Sequence, residues 1–70
     1  MMPLTVAKTG EGNTIKKIGG SAETRLHLKE LGFVPGACVT VITEIGGNVI
    51  VNVKESRIAV SREMASKMMI

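Results

Sequence analysis

Aromatic residues are almost absent from this sequence. Phe33 is the only one in 70 residues, and Trp and Tyr do not occur. The core therefore has to be built from Val, Ile, Leu, Ala and Met, and the chain offers little with which to stack nucleic-acid bases. At a length of 70 residues, we expect residues 1–70 to form a single domain. A domain this short buries only about 60% of the surface that it exposes when unfolded. Its stability should be a few kcal/mol.

Cysteine and long apolar segments are also scarce. The one thiol, Cys38, cannot form an intramolecular disulfide, and its position in a predicted strand favours a reduced side chain that packs as a small apolar group. No apolar run approaches the roughly 18 residues needed to span a bilayer, and the first residues lack the basic and apolar regions of a signal peptide. The sequence therefore predicts a soluble, cytoplasmic protein.

Groups that would support catalysis are missing as well. His27 is the only histidine, and no serine or cysteine nucleophile has a convincing base. The phosphate-binding pattern of strand, GxxxxGK[ST] and helix does not occur, and the glycine pairs are typical of turns. We predict that this protein is not an enzyme.

What the sequence does contain is a well-specified corner between Arg25 and Val41. Ser21 is a plausible N-cap for a helix over residues 22–31, and Gly32 can take the left-handed conformation that ends it. Pro35 and Gly36 suit the two central positions of a type II turn, after which a strand begins.

The rest of the chain is rich in short β segments. Gly46, Gly47 and Asn48 predict a hairpin connection between two antiparallel strands. Four or five short strands with one helix inserted between the first and second suit a mainly β fold, a small, strongly bent antiparallel barrel with a short C-terminal helical turn. The predicted strands are Asn13–Ile18, Cys38–Ile45, Val49–Val53, Arg57–Val60 and Met68–Ile70, the helical turn is Arg62–Ser66, and the segment Leu4–Ala7 is expected to lie on the core as a turn or strand stub.

The alternation of side chains predicts which residues face inward. In the hairpin these are Val39, Val41 and Thr43 on one strand and the valines of Val49–Val53 on the other. The methionines near the C-terminus have two possible roles. Packing in the core is the commoner role, and forming a partner-binding patch is the other.

A weak positive charge is the main electrostatic feature. The formal net charge is +3 and the pI is near 9.4, which mildly favours an anionic partner. Lys16, Lys17 and Arg25 are candidates for a basic patch, so the alternative function is a small basic nucleic-acid-binding barrel. The lack of aromatics makes nucleic-acid binding the weaker interpretation.

One group of residues has the spacing of a metal site. Glu23, His27 and Glu30 are four and three residues apart, which places two carboxylates and an imidazole on one face of the predicted helix. These ligands suit Fe2+, Mn2+ or Zn2+, and we predict at most weak binding, with no cofactor required. A solvated helix face is the commoner use of such residues.

Several residues and motifs follow one another in an order that is typical of one known family. They are Arg25, Leu28, Leu31-Gly32-Phe33-Val34-Pro35-Gly36, Val39-Thr40-Val41, Gly47-Asn48-Val49-Ile50-Val51, Arg57-Ile58-Ala59-Val60-Ser61, Ala65 and Ile70. This order resembles the FeoA proteins that accompany the FeoB ferrous iron transporter. The resemblance implies an SH3-like barrel and a cytosolic helper that acts on the transporter. The sequence departs from the family at the hairpin, where Glu44–Asn48 replaces the usual Pro-Leu-Gly-Asp-Pro type of connection.

For docking on such a transporter, we expect the surface at the end of the helix to be used. Leu26, Phe33 and Val34 are apolar groups that the core need not cover fully, and Arg25 is close to them. The sequence leaves open whether the protein also forms a homodimer through a free strand edge.

Overall fold

The computed structural model describes residues 1–70, and their secondary structure is mainly β. A short 3-10 turn at Leu4–Val6 is followed by six strands and two helices. Neither helix combines the length and the hydrophobicity that a bilayer crossing requires. In chain order, the elements are β1 (Gly12–Thr14), β2 (Lys17–Ile18), α1 (Ala22–Leu31), β3 (Cys38–Ile45), β4 (Asn48–Val53), β5 (Ser56–Ser61), α2 (Arg62–Ser66) and β6 (Met68–Met69).

The strands form two antiparallel sheets. Four of them lie in the order β1-β3-β4-β5, and the other two, β2 and β6, pair with each other. This confirms the mainly β, antiparallel prediction with one inserted helix and a short C-terminal helix. Hydrogen bonding does not run continuously around the barrel, so β1 and β5 are edge strands of the larger sheet.

The segment from Asn13 to Ile18 was predicted as one strand, and that prediction is wrong. It is two strands, one in each sheet, with a break at Ile15 and Lys16. Ile15 and Ile18 are both buried, yet residues three apart point to opposite faces of a regular strand. The break allows both isoleucines to reach the core.

The β3–β4 hairpin matches the prediction with one change in its turn. Gly46 and Gly47 form a two-residue connection with φ of 53° and 84°, as the type I′ turns of tight hairpins require. Asn48 belongs to β4, where it pairs with Ile45. A register shift between Val41 and Thr43 leaves Thr43 exposed, so the expectation that Thr43 faces inward is wrong.

The core is one cluster of buried apolar side chains. The hairpin valines that were predicted to face inward are all in it, and Met68 confirms the use of a methionine as core. Leu4 anchors the N-terminal turn with no exposed surface, and the backbone groups of Met2 and Ile70 exchange two hydrogen bonds. The cluster comprises Leu4, Ile15, Ile18, Leu28, Phe33, Val39, Val41, Val49, Val51, Val53, Val60, Ala65, Met68 and Ile70.

Cys38 does not pack as the sequence suggested. Its side chain is exposed at the start of β3, opposite Thr14 of the edge strand β1. Since Val39 and Val41 take the inward positions of this strand, the alternation of side chains directs Cys38 outward.

Candidate functional site

Helix α1 begins and ends at the predicted residues. The Thr24 backbone N–H donates to Ser21 Oγ at 3.2 Å, so Ser21 is the N-cap. At the other end, Gly32 has φ 106° and ψ 1°. Its N–H donates to the Lys29 carbonyl at 3.0 Å, and the Phe33 N–H donates to the Leu28 carbonyl at 2.9 Å. This pair of hydrogen bonds is the Schellman motif.

The Schellman motif sends the chain back towards the core. Phe33 packs with Leu28 in the buried cluster, which is the apolar contact that usually accompanies this helix end. Val34, Pro35, Gly36 and Ala37 follow as a turn in which the Ala37 N–H donates to the Val34 carbonyl at 3.0 Å. Gly36 has φ 93°, as a type II turn requires at that position.

This turn is attached to the segment between the two sheets. The Gly36 N–H donates to the Ile15 carbonyl at 2.8 Å, and the Ile15 N–H donates to the Ala37 carbonyl at 2.9 Å. Lys16 then donates its backbone N–H to the Met69 carbonyl at 2.7 Å. These bonds hold the two lysines that follow Ile15 beside the turn and the helix.

Three segments therefore enclose one cleft, which we call the basic cleft, with a volume of about 430 Å³. One wall comes from the start of β2, one from α1 and one from the residues after the helix. Its floor is apolar and its rim is cationic. The lining residues are Lys16, Lys17, Ile18, Arg25, Lys29, Phe33, Val34 and Pro35.

The charge on the rim is not neutralised within the protein. None of the chain's six glutamates lines the basic cleft, whereas four of its nine lysines and arginines do. The only salt bridge in the structure joins Arg62 to Glu44, and neither residue lines the cleft. The basic cleft therefore combines uncompensated positive charge with an apolar base, an arrangement that favours an anionic ligand.

The residues predicted to contact a partner fall in different places. Arg25 and Val34 line the basic cleft, whereas Leu26 does not. Leu26 is 57% exposed on the surface of α1. Phe33 is only 1% exposed, so the expectation that the core leaves its side chain uncovered is wrong. It forms part of the cleft's floor instead, because the Schellman motif turns it inward.

Sequence reasoning missed part of this site. Lys16, Lys17 and Arg25 were candidates for a basic patch, and the structure brings them to the same cleft. Lys29 completes the set, and its position four residues after Arg25, on the same helix face, was the available signal. Pro35 lines the cleft because the turn after the helix folds back, and no local sequence pattern predicts that.

The predicted metal ligands lie on an exposed part of α1. Glu23, His27 and Glu30 are all exposed, and no group of three or more His, Cys, Asp or Glu side chains is placed so that it could hold a metal ion. The structure therefore does not bring the three together as a ligand set. Weak metal binding by this face stays a prediction.

Comparison with solved structures shows where this architecture occurs. A crystal structure of an iron uptake regulatory protein, FeoA, is 28% identical, with a TM-score of 0.89 over 97% of this chain and 90% of that chain. A zinc complex of FeoA from Stenotrophomonas maltophilia, described as a procaryotic SH3 domain protein, is 23% identical, with a TM-score of 0.83 over 99% of this chain and 88% of that chain. The SH3-like fold expected from the sequence is thereby confirmed.

Sequence comparison identifies relatives over the same length. A curated protein from Methanocaldococcus jannaschii, named Fe(2+) transport protein A, is 37% identical over 70 residues, which are 100% of this chain and 85% of the relative. The family model for the FeoA domain matches residues 2–70. This protein, with its SH3-like barrel and its basic cleft, therefore belongs to the FeoA domain family.

Proposed function

We propose that this protein is a cytoplasmic accessory protein of ferrous iron uptake that docks on the cytosolic part of a FeoB-type transporter. It carries out no reaction of its own, and the ferrous ion is the transporter's cargo. The observation that carries the proposal is the family match over residues 2–70, together with the relative named Fe(2+) transport protein A. In the sequence, no serine or cysteine nucleophile has a convincing base, which is consistent with a binding role.

Docking requires a surface that a partner can cover, and α1 offers one. Leu26 is an exposed apolar side chain on this helix. Arg25 precedes it in sequence, Lys29 follows it by three residues, and both line the rim of the basic cleft. Interfaces are commonly built from an apolar contact surrounded by charged residues. We therefore place the transporter's contact on α1 and on the cleft next to it.

The proposal is tested by uptake and by binding. Radiolabelled Fe2+ uptake is measured in cells that carry the FeoB-type transporter, with and without this protein, and we expect lower uptake without it. In parallel, the isolated cytosolic domain of the transporter is titrated with the purified protein. Equal uptake together with no binding would contradict the proposal.

A matched pair of variants tests the position of the contact. Leu26→Glu places a charge on α1 while keeping a good helix former, and Ile45→Glu makes a similar change at the end of β3, where Ile45 is 63% exposed. We expect Leu26→Glu to weaken binding to the transporter domain and Ile45→Glu to leave it unchanged. Equal affinities for the two folded variants would reject the α1 surface.

Weak binding of a divalent transition metal by Glu23, His27 and Glu30 is a separate proposal. Two carboxylates and an imidazole on one helix face suit Fe2+, Mn2+ or Zn2+. Titration with zinc, followed by the NMR signals of His27, should shift those signals, and His27→Gln should abolish the response at this face. Unchanged His27 signals would contradict it.

A further inference from the structure

We infer that the basic cleft is the part of the protein that recognises its partner, and that its occupant is a short acidic protein segment that places one apolar side chain between the cations. This inference rests on the proposed function, because it assigns the chemistry of the docking site. It goes beyond the family match, which says nothing about which surface is used or what it binds.

The cationic rim of the basic cleft favours an acidic ligand. Lys16, Lys17, Arg25 and Lys29 come from two separate segments and converge on one cleft, and no glutamate lines it. None of these cations has a salt-bridge partner in the structure. Gathering like charges without counter-charges is unfavourable, and a ligand that brings carboxylates to the rim relieves that repulsion.

The apolar floor of the basic cleft favours a ligand that also carries an apolar side chain. Ile18 and Phe33 present the outer edge of the core at the base of the cleft, and half-buried Val34 with exposed Pro35 forms the side that follows the helix. A purely ionic ligand would leave this apolar surface unused. A segment with an apolar side chain flanked by carboxylates can pack that side chain on the floor and pair its carboxylates with the cations of the rim.

The size and shape of the cleft favour a short segment. A volume of about 430 Å³ lies within the range of about 300–1,000 Å³ of small-ligand pockets, so it holds one or two side chains and the backbone between them. A whole helix would need a longer groove.

The same features disfavour nucleic acid. Binding of single strands relies on exposed aromatic side chains that stack bases along a positively charged groove, and the only aromatic residue, Phe33, is 1% exposed. None of the other five lysines and arginines lines the cleft. We therefore assign the cleft to an acidic protein segment.

The test uses two double variants with the same change in net charge. Arg25→Glu with Lys29→Glu reverses the α1 side of the rim, whereas Lys8→Glu with Arg57→Glu reverses two exposed cations outside the cleft. Either pair changes the formal net charge by −4, from +3 to −1. Circular dichroism and thermal unfolding establish that both variants fold.

Binding is measured by calorimetry against three probes. These are the transporter's cytosolic domain, a capped peptide of sequence EELEEL with its uncharged counterpart QQLQQL, and a single-stranded oligonucleotide. We expect the wild type and the outer variant to bind the domain and EELEEL, and the rim variant to bind them about tenfold more weakly or worse. Affinity for EELEEL should fall as salt rises, and QQLQQL should bind less tightly than EELEEL.

Val34→Thr tests the apolar floor with little change in shape. It replaces a methyl group by a hydroxyl, and we expect it to weaken EELEEL binding severalfold without altering the response to salt. Equal binding of EELEEL by Val34→Thr, or tighter binding of the oligonucleotide than of EELEEL by the wild type, would overturn the inference.

The two proposals fail in different ways. If the wild type binds the transporter domain and the rim variant binds it equally well, docking stands and the basic cleft is not its site. If the wild type does not bind the domain but binds EELEEL through the rim cations, the assignment of the cleft stands and the transporter is not the partner.

Discussion

Replacing Gly32 by alanine should lower the free energy of unfolding by about 1–2 kcal/mol, the usual cost of a left-handed backbone for a residue with a Cβ. The value follows from the backbone and not from a lack of space. Gly32 has φ 106° at the end of α1. A Cβ added there would lie 3.5 Å from Lys54 Cδ, which is an ordinary van der Waals contact with a flexible side chain.

Two further variants separate backbone strain from other effects. Gly32→Asn should cost less than Gly32→Ala, because asparagine tolerates the left-handed region better than other residues with a Cβ. Gly12→Ala places a methyl group in strand β1, at a glycine without positive φ, with Cys38 Sγ at 3.4 Å and Thr40 Oγ1 at 3.7 Å. We expect that change to be neutral or stabilising, since it only reduces the freedom of the unfolded chain.

Thermal and urea unfolding followed by circular dichroism measure all three variants. In a domain of this size, 1 kcal/mol corresponds to about 4–8 °C in Tm, so the difference between Gly32→Ala and Gly12→Ala is readily resolved. A Gly32→Ala protein as stable as the wild type would refute the reasoning, and so would a Gly32→Asn protein less stable than Gly32→Ala.

Three other substitutions or treatments follow from the fold. Leu28→Ala removes a core side chain with no exposed surface and should cost about 2–5 kcal/mol; because this equals most of the stability of so small a domain, a cooperative transition near the wild-type Tm would contradict the packing. Glu55 has φ 64° in the two-residue turn between β4 and β5, so Glu55→Gly should raise the free energy of unfolding by up to about 1 kcal/mol, and a lower urea midpoint would count against strain there. Cys38 is exposed, so a thiol reagent should modify it completely under native conditions, and modification only after denaturation would show that the thiol is buried.

Local backbone structure was largely predictable because it depends on residue types at adjacent positions. Ser21, Gly32, Pro35 and Gly36 each suit one step of the corner, and α1 has the predicted bounds. The hairpin was predictable for the same reason, since two glycines meet the positive φ of its turn.

Predictions failed where a residue's neighbours come from distant parts of the chain. Ile15 and Ile18 are both buried because the chain passes between two sheets, which a single-strand pattern does not show. Phe33 is covered because the helix end turns it towards Leu28. Cys38 is exposed because the neighbouring valines occupy the inward positions.

The candidate site shows the same division. The sequence identified Arg25 and Val34 as candidates near the end of the helix, and it identified Lys16 and Lys17 by their charge. That all four line one cleft depends on the hydrogen bonds between Ile15 and the turn after α1. The metal prediction rested on helix spacing alone, and spacing does not bring ligands from a second element.

The sequence by itself therefore determined the helix, its caps, the two tight turns and the mainly β character of this FeoA-family protein, because these depend on the allowed φ and ψ of neighbouring residues and on the alternation of side chains. Only the tertiary structure decided which apolar groups remain exposed and that four cations surround one apolar cleft. Exposure and charge density depend on segments that approach each other in space, and the spacing of residues along the chain does not contain that information.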